Sequence, residues 1–390
     1  MREGETMSFD IEKREFLKGL SLMQSVAGRK TTLPILSHIF MEWEKNSLYL
    51  TGTDLETGIR EELSATAHQS GKASISARKL YEIVRELPEE IIHINKKENH
   101  WITLQCGKSL FNLVGLDPDE FPSLPAYQDT YFSKISTHLI KEMIDKTVFA
   151  ASNEESRYHL NGILLLQKKL TSPASSEGQG GREMLRMVAT DGHRLSLIDR
   201  ESQTIRGVEK GIVIPKKGVL EIKKIIGDRD EDEAMEVYFD QTHGFFKLGK
   251  TLMVIRLIDG EFPEYEQVIP KGNDKKLVMG KEKMYGCLRR VSTMASERVE
   301  GIKVSLKKDT MEISSYHQDY GDAKEEVEVV YEGPPLEMGF NARYLLEALN
   351  VIDTDEIVME LKDEGSPGII KPPSSKDPLH QLCIIMPMRI

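Results

Sequence analysis

Asp191, His193 and Arg194 stand together in Val188-Ala189-Thr190-Asp191-Gly192-His193-Arg194-Leu195. A carboxylate two residues from an imidazole is the kind of pairing from which a general acid and base are built. Hydrolysis would use His193 with Asp191. It would also need convergent partners, and neither a serine-nucleophile motif nor a second histidine cluster accompanies the pair. Two other readings stay open here. One is a turn whose side chains cap nearby backbone groups. The other is the rim of an apolar pocket that binds a peptide. His38, His93, His159, His243 and His317 are singletons without metal-ligand spacing, so no metal or cofactor is expected. Residues 244–251, Gly-Phe-Phe-Lys-Leu-Gly-Lys-Thr, fit the phosphate-loop pattern GxxxxGKT. That loop holds phosphate only between a strand and a helix. Residues 252–257 are β-like and the loop interior is bulky and aromatic, so a β-hairpin is expected instead.

The elements that must position Asp191 point to a repeat. Residues 184–188 lead in and 195–198 lead out as strands, so Asp191-Gly192 punctuates a hairpin turn. A weaker copy runs over 48–55 and continues in Gly58-Ile59-Arg60; a third spans 311–316, then Tyr320-Gly321. Around these lies one recurring order. Phe16, Leu20 and Met23 follow helical spacing within 9–23. Strands are expected over 33–40, 47–50, 91–94, 101–104 and 110–113, and a helix over 77–87 stopped by Pro88. The second copy has helices over 139–146 and 214–226, and 158–165 matches the strand after Pro34. The third has helices over 282–291 and 340–349 and a strand over 301–306. Phe121-Pro122, Phe262-Pro263 and Met386-Pro387 close the three copies. The fold class is therefore α+β, with three repeated domains over 7–127, 128–270 and 271–390. The Ser- and Gly-rich stretch 171–182 is expected as a surface loop of the central domain.

Composition limits the setting. No apolar run among the 390 residues approaches the ~20 a membrane helix needs, so no membrane contact is expected. Cys106, Cys287 and Cys383 are scattered and odd in number, which fits free thiols in a reducing cytoplasm. Residues 1–6 are polar and read as a start-site extension. The net charge of -11 argues against nucleic-acid binding over the whole surface, yet it leaves room for a basic lining on one face. Residues 215–229 set Lys216, Lys217, Lys223, Lys224 and Arg229 against Glu221 and Asp228. Residues 281–298 set Lys281, Lys283, Arg289, Arg290 and Arg298 against Glu282 and Glu297. Either helix alone is most simply a solvated face; together they make a local phosphate-contacting surface plausible, without base specificity. The terminus Ile384-Ile385-Met386-Pro387-Met388-Arg389-Ile390 is nearly all apolar, unlike most chain ends. It fits a final strand, the lining of a groove, or both.

With these residues assembled, the chain resembles the bacterial DNA polymerase III β subunits, the replicative sliding clamps. The resemblance runs from about Met7 to Ile390. It rests on Thr32-Leu33-Pro34-Ile35-Leu36, Arg157-Tyr158-His159-Leu160-Asn161-Gly162, the Asp191 segment, Gly339-Phe340-Asn341 and Met386-Pro387-Met388-Arg389-Ile390. It implies a head-to-tail homodimer whose six domains form a ring, with helices lining the hole and sheets outside. Such a ring encircles duplex DNA, tethers the polymerase and is not itself catalytic. It also implies a pocket for short peptides of the DNA polymerase III α subunit, the clamp loader, other polymerases and repair proteins. By motif match that pocket comprises Leu160, Thr190, Gly192, His193, Arg194, Leu195, Pro263, Val268, Asn341, Tyr344, Ile384, Met386, Pro387 and Met388. Gln267 and Val299 depart from some members and bear on peptide preference. The ring joint would use Phe111, Thr293 and Met294. The DNA side would use Arg29, Lys216, Lys217, Lys223, Lys224, Arg289 and Arg290. A clamp paralogue serving as a specialised partner platform has the same pattern.

Overall fold

The computed structural model describes residues 7–27, 33–128, 131–154, 156–170, 182–227, 233–295, 300–373 and 380–389, and among these described residues there are six α-helices. The helices are α1 (Lys13–Ala27), α2 (Ala77–Glu86), α3 (Thr137–Asp145), α4 (Lys216–Ile226), α5 (Lys281–Ser292) and α6 (Ala342–Asn350). Each repeat thus supplies two. In α1, Phe16, Leu20, Met23 and Val26 are buried at three- and four-residue steps. Gly19 lies among them because a Cβ there would sit 2.6 Å from a methyl of Leu63. Ser76 caps α2 by accepting the Lys79 N–H, and Asn341 caps α6 by accepting the Tyr344 N–H at 3.2 Å.

Several boundaries differ from the sequence expectation for local reasons. Residues 8–12 form a strand before α1: Phe9 and Ile11 are buried while their neighbours face outward, a period of two. The expected strand over 33–40 begins only at His38, because Pro34–Ser37 is a 3₁₀ turn. Proline fixes φ and lacks the N–H a ladder needs. Tyr158–Leu160 makes the corresponding 3₁₀ turn, and its strand starts at Gly162. Residues 212–215 are a strand, so α4 starts at Lys216. The GxxxxGKT segment is a hairpin between strands His243–Leu248 and Thr251–Arg256, turning at Gly249 with φ +58°. Loop 171–181 and Arg29 lie outside the described residues.

The chain divides into two compact units. The first holds 1–137 and 220–257. Its five-stranded sheet runs in the order Thr66–Gln69, Ser8–Glu12, Ile91–Lys96, Trp101–Cys106, Ser109–Val114. Its eight-stranded sheet runs Ser133–Ser136, Ala234–Phe239, His243–Leu248, Thr251–Arg256, Thr57–Ser64, Ser47–Thr53, His38–Glu44, Gly71–Ser76. The second unit holds 138–219 and 258–390. Its eight-stranded sheet runs Ile212–Pro215, Gly162–Leu170, Arg182–Thr190, Arg194–Glu201, Gln381–Ile385, Gly368–Lys371, Glu356–Leu361, Lys275–Gly280. Its four-stranded sheet runs Gly321–Glu328, Thr310–His317, Gly301–Lys307, Leu336–Asn341. Each eight-stranded sheet is therefore built from two successive repeats. The seam in the first unit pairs Thr251–Arg256 with Thr57–Ser64, and the seam in the second pairs Gln381–Ile385 with Arg194–Glu201.

Candidate functional site

The turn at Asp191 is a closed hydrogen-bonded unit. Thr190 Oγ1 donates to the Arg194 carbonyl at 2.6 Å and accepts the Gly192 N–H at 3.1 Å. One Asp191 carboxylate oxygen accepts the N–H groups of His193 and Arg194 at 2.9 and 3.0 Å; the other accepts Arg194 Nε at 3.0 Å. Gly192 takes φ +89°, a region where glycine carries no steric penalty. These bonds decide the acid–base question. Both oxygens of the Asp191 carboxylate are taken by backbone N–H groups and by Arg194, and His193 is exposed, so the turn does not supply the acid–base pair that hydrolysis would need.

Arg194 is the centre of the site. Its side chain is 9 % exposed. Besides Asp191, it donates to the Glu347 carboxylate on α6 and to the Phe149 carbonyl at 2.7 Å. The guanidinium lies 4.4 Å from the centre of the Tyr344 ring and 5.3 Å from that of Phe149. A buried cation needs such a full set of partners, because an unpaired one would be strongly penalised. Arg157 ties the turn from its other side through the Asp191 carbonyl at 3.0 Å. The chain end completes the arrangement. The Met386 N–H donates to the His193 carbonyl and the Met388 N–H to the Gly339 carbonyl, both at 2.9 Å. Residues 386–389 therefore run, outside any strand, from the Asp191 turn to the strand that leads into α6.

Most of the expected pocket residues converge here. Gly192 lies beside Leu160, and Tyr344 beneath Arg194. Asn341 sits at the α6 cap, and Met386, Pro387 and Met388 are half-buried. Leu195 and Ile384 are paired across the seam and buried in one apolar cluster with Tyr265, against which Phe262 and Ile269 pack. Leu195 and Ile384 both lie on the sheet face opposite Arg194, whose cross-strand partner Ile385 belongs to the other core, and Ile384 has no exposed surface. Pro263 is exposed and Val268 half-buried on the segment covering that cluster. Gln267 is exposed and donates to Glu264. Val299 lies outside the described residues. Glu347 and Phe149, which hold Arg194, were not anticipated. The only signal was the three-residue step from Tyr344 to Glu347 on one helix face.

The basic residues have mixed surroundings. Lys216 Nζ donates to the Ala151 carbonyl and to Asn153 Oδ1, both at 2.8 Å. Burial, and then the nearby Arg194 guanidinium, lower its pKa. It belongs to the Arg194 site rather than to a solvent-facing row. Lys224 is exposed and 3.8 Å from Glu221, whereas Lys217 and Lys223 are half-buried. Arg289 is exposed; Arg290 Nε donates to Glu325 at 2.9 Å. Phe111 is half-buried on strand Ser109–Val114, and Thr293 and Met294 follow α5. Among the described residues no group of three side chains could hold a metal ion, and no helix is long and apolar enough to cross a membrane.

Comparisons with known proteins match this architecture along its length. Family models for the DNA polymerase III beta subunit match as its N-terminal domain over 7–125, its central domain over 134–264 and its C-terminal domain over 266–389. The beta sliding clamp of Pseudomonas aeruginosa is 32 % identical over 385 residues, covering 98 % of this chain and all of the relative. That of Escherichia coli K12 is 29 % identical over 386 residues, with the same coverage. A crystal structure of the polymerase sliding clamp from Caulobacter crescentus superposes with a TM-score of 0.89 at 32 % identity, covering 98 % of this chain and all of that one. A Pseudomonas aeruginosa sliding clamp bound to griselimycin superposes at 0.88 and 31 %, covering 99 % and 100 %.

Proposed function

The chain belongs to the DNA polymerase III beta-subunit family, the replicative sliding clamps, and is a non-catalytic processivity subunit; on that premise we propose that two copies close head to tail into a ring around duplex DNA. The observation that supports the ring is a rule in the seams. The last strand of the second repeat, Thr251–Arg256, pairs with Thr57–Ser64 of the first. The last strand of the third, Gln381–Ile385, pairs with Arg194–Glu201 of the second. One more step of the rule pairs the last strand of the first repeat, Ser109–Val114, with Gly321–Glu328 of the third. Both are outer strands of their sheets. Unpaired edges invite a further strand, and a second copy supplies one to each. Phe111 lies on the first edge. α5 packs against the second, and Thr293 and Met294 follow α5 directly. The domains of this ring span 7–127, 128–270 and 271–390.

In this reading, DNA is held by topology and contacted through phosphates, with Arg289, Lys217, Lys223 and Lys224 facing it. Partners dock through short peptides at the Arg194 site: the DNA polymerase III α subunit, the clamp loader, other polymerases and repair proteins, in the cytoplasm. Retention on DNA tests the ring. A clamp loader places the protein on a nicked circle, and the circle is then cut once. Release on cutting, at a salt concentration where the intact circle retains the protein, is expected. Equal retention on both forms would replace the ring with ordinary contact binding. Removal of 386–390 tests the docking site. It is expected to abolish polymerase stimulation and leave the dimer intact, and stimulation surviving it would move the docking site elsewhere.

A further inference from the structure

The two eight-stranded sheets carry the same row of four facing positions, and the row is covered differently in each unit. In the second unit the row is Leu164, Val188, Leu197 and Leu382, directly opposite one another on neighbouring strands. All four belong to one apolar cluster with Tyr265, which is 7 % exposed. The Tyr265 hydroxyl accepts a hydrogen bond from Arg186 Nη1 at 3.2 Å. The chain thus covers this row with its own aromatic ring, whose oxygen is met by a guanidinium.

The matching row in the first unit is Phe40, Thr51, Arg60 and Leu252. The covering segment Phe121-Pro122-Ser123-Leu124 aligns with Phe262-Pro263-Glu264-Tyr265, so Leu124 stands where the other unit has tyrosine. Leu124 is directed toward Gly58, where a Cβ would lie 2.3 Å from one of its methyls. A cavity of about 570 Å³ remains, floored by the row and walled by Phe121, Leu124 and Tyr127. That volume lies in the roughly 300–1,000 Å³ range of small-ligand sites. Arg60 is on its floor, held 3.3 Å from Glu42 and 4.5 Å from the centre of the Tyr49 ring. A guanidinium has five N–H donors, and among the described residues Arg60 donates to Glu42 alone, which leaves others for an acceptor in the cavity.

We propose that this cavity is a second docking site, which takes the tyrosine side chain of a partner peptide. The ring would lie against Phe40, Phe121 and Leu252, and its oxygen would accept from Arg60. The occupant is the one the fold uses on itself at the other sheet. The site is separate from the Arg194 site and shares no residue with it.

Ligand-observed fluorine NMR tests this on the full chain, with N-acetyl-3-fluorotyrosine amide as probe and N-acetyl-4-fluorophenylalanine amide as its control. The tyrosine probe is expected to bind saturably, at least threefold tighter than the control. Leu124→Tyr should place the chain's own ring over the row, abolish binding and raise the unfolding temperature. Binding that persists in a folded Leu124→Tyr variant would overturn the site, as would no saturable binding to the parent or equal binding of the two probes. If Leu124→Tyr does not fold, Arg60→Gln decides. It should remove the preference for tyrosine, and a preference that survives would overturn the assignment.

Discussion

The turns at Asp54 and Asp191 have the same hydrogen bonds and different consequences. In each, a threonine hydroxyl (Thr53, Thr190) donates to the carbonyl four residues on and accepts the N–H two residues on. In each, one aspartate oxygen accepts the N–H groups two and three residues ahead. The residue after each aspartate has positive φ: Leu55 at +75° and Gly192 at +89°. They diverge at the fifth position. Thr57 is buried where the other turn has Arg194, which reaches Glu347, Phe149 and Tyr344. The frame is thus a property of the repeat, and one long side chain turns one copy of it into a rigid, charged platform.

Arg194→Ala gives the largest expected contrast. It removes the partner of Glu347 and of one Asp191 oxygen in a nearly enclosed setting, so a loss of about 3–5 kcal/mol is expected, as for breaking a buried ion pair. Thr57→Ala, at the same turn position, should cost only about 1 kcal/mol. Urea unfolding of both variants compares them directly. Equal losses would mean that the frame, rather than the arginine, supplies the rigidity.

The positive-φ residues come next, and they should move stability in opposite directions. Gly192→Ala forces a side chain into a left-handed conformation at a cost of about 1–2 kcal/mol. Leu55 already bears that strain while 53 % exposed, and asparagine tolerates the region. Leu55→Asn should therefore stabilise by roughly 0.5–1 kcal/mol. Thermal unfolding of the pair measures the difference. A destabilised Leu55→Asn would show that apolar contacts of Leu55 outweigh its backbone strain.

Much of this was legible because it is local. Thr53-Asp54 and Thr190-Asp191 sit before strands of matching period, and turn chemistry depends on residues within five positions. The helices were legible from Phe16, Leu20 and Met23 and from their counterparts. The seams were not. Pairing Thr251–Arg256 with Thr57–Ser64 joins residues nearly 200 positions apart, and alternation within one strand does not identify its neighbour. The partners of Arg194 were hidden for the same reason: Phe149 and Glu347 lie 45 and 153 positions away. The cavity over Phe40 was invisible as well, since it arises from what Leu124 fails to cover. Residues 34–37 and 158–160 resemble strands in sequence because apolar residues beside Pro34 or inside a 3₁₀ turn have the same composition as strand residues and differ only in where their N–H groups bond.

The smallest expected effect isolates the charge that distinguishes the Asp191 turn. Burial lowers the pKa of Lys216 first, and repulsion from Arg194 adds to it, while Glu347 and Asp191 act the other way. A base with a lowered pKa binds its proton less tightly folded than unfolded. Its contribution is therefore unfavourable at neutral pH and is relieved as pH rises through the folded value toward the ordinary 10.5. In Arg194→Ala the repulsion goes and both carboxylates stay, so Lys216 should titrate higher and the relief with rising pH should shrink. Carbon-13 NMR of reductively methylated lysines follows this titration, with Lys216→Arg assigning the signal. An unchanged titration would leave burial as the whole cause. The two turns would then differ in packing alone, and Arg194 would matter for what it holds in place rather than for the charge it brings.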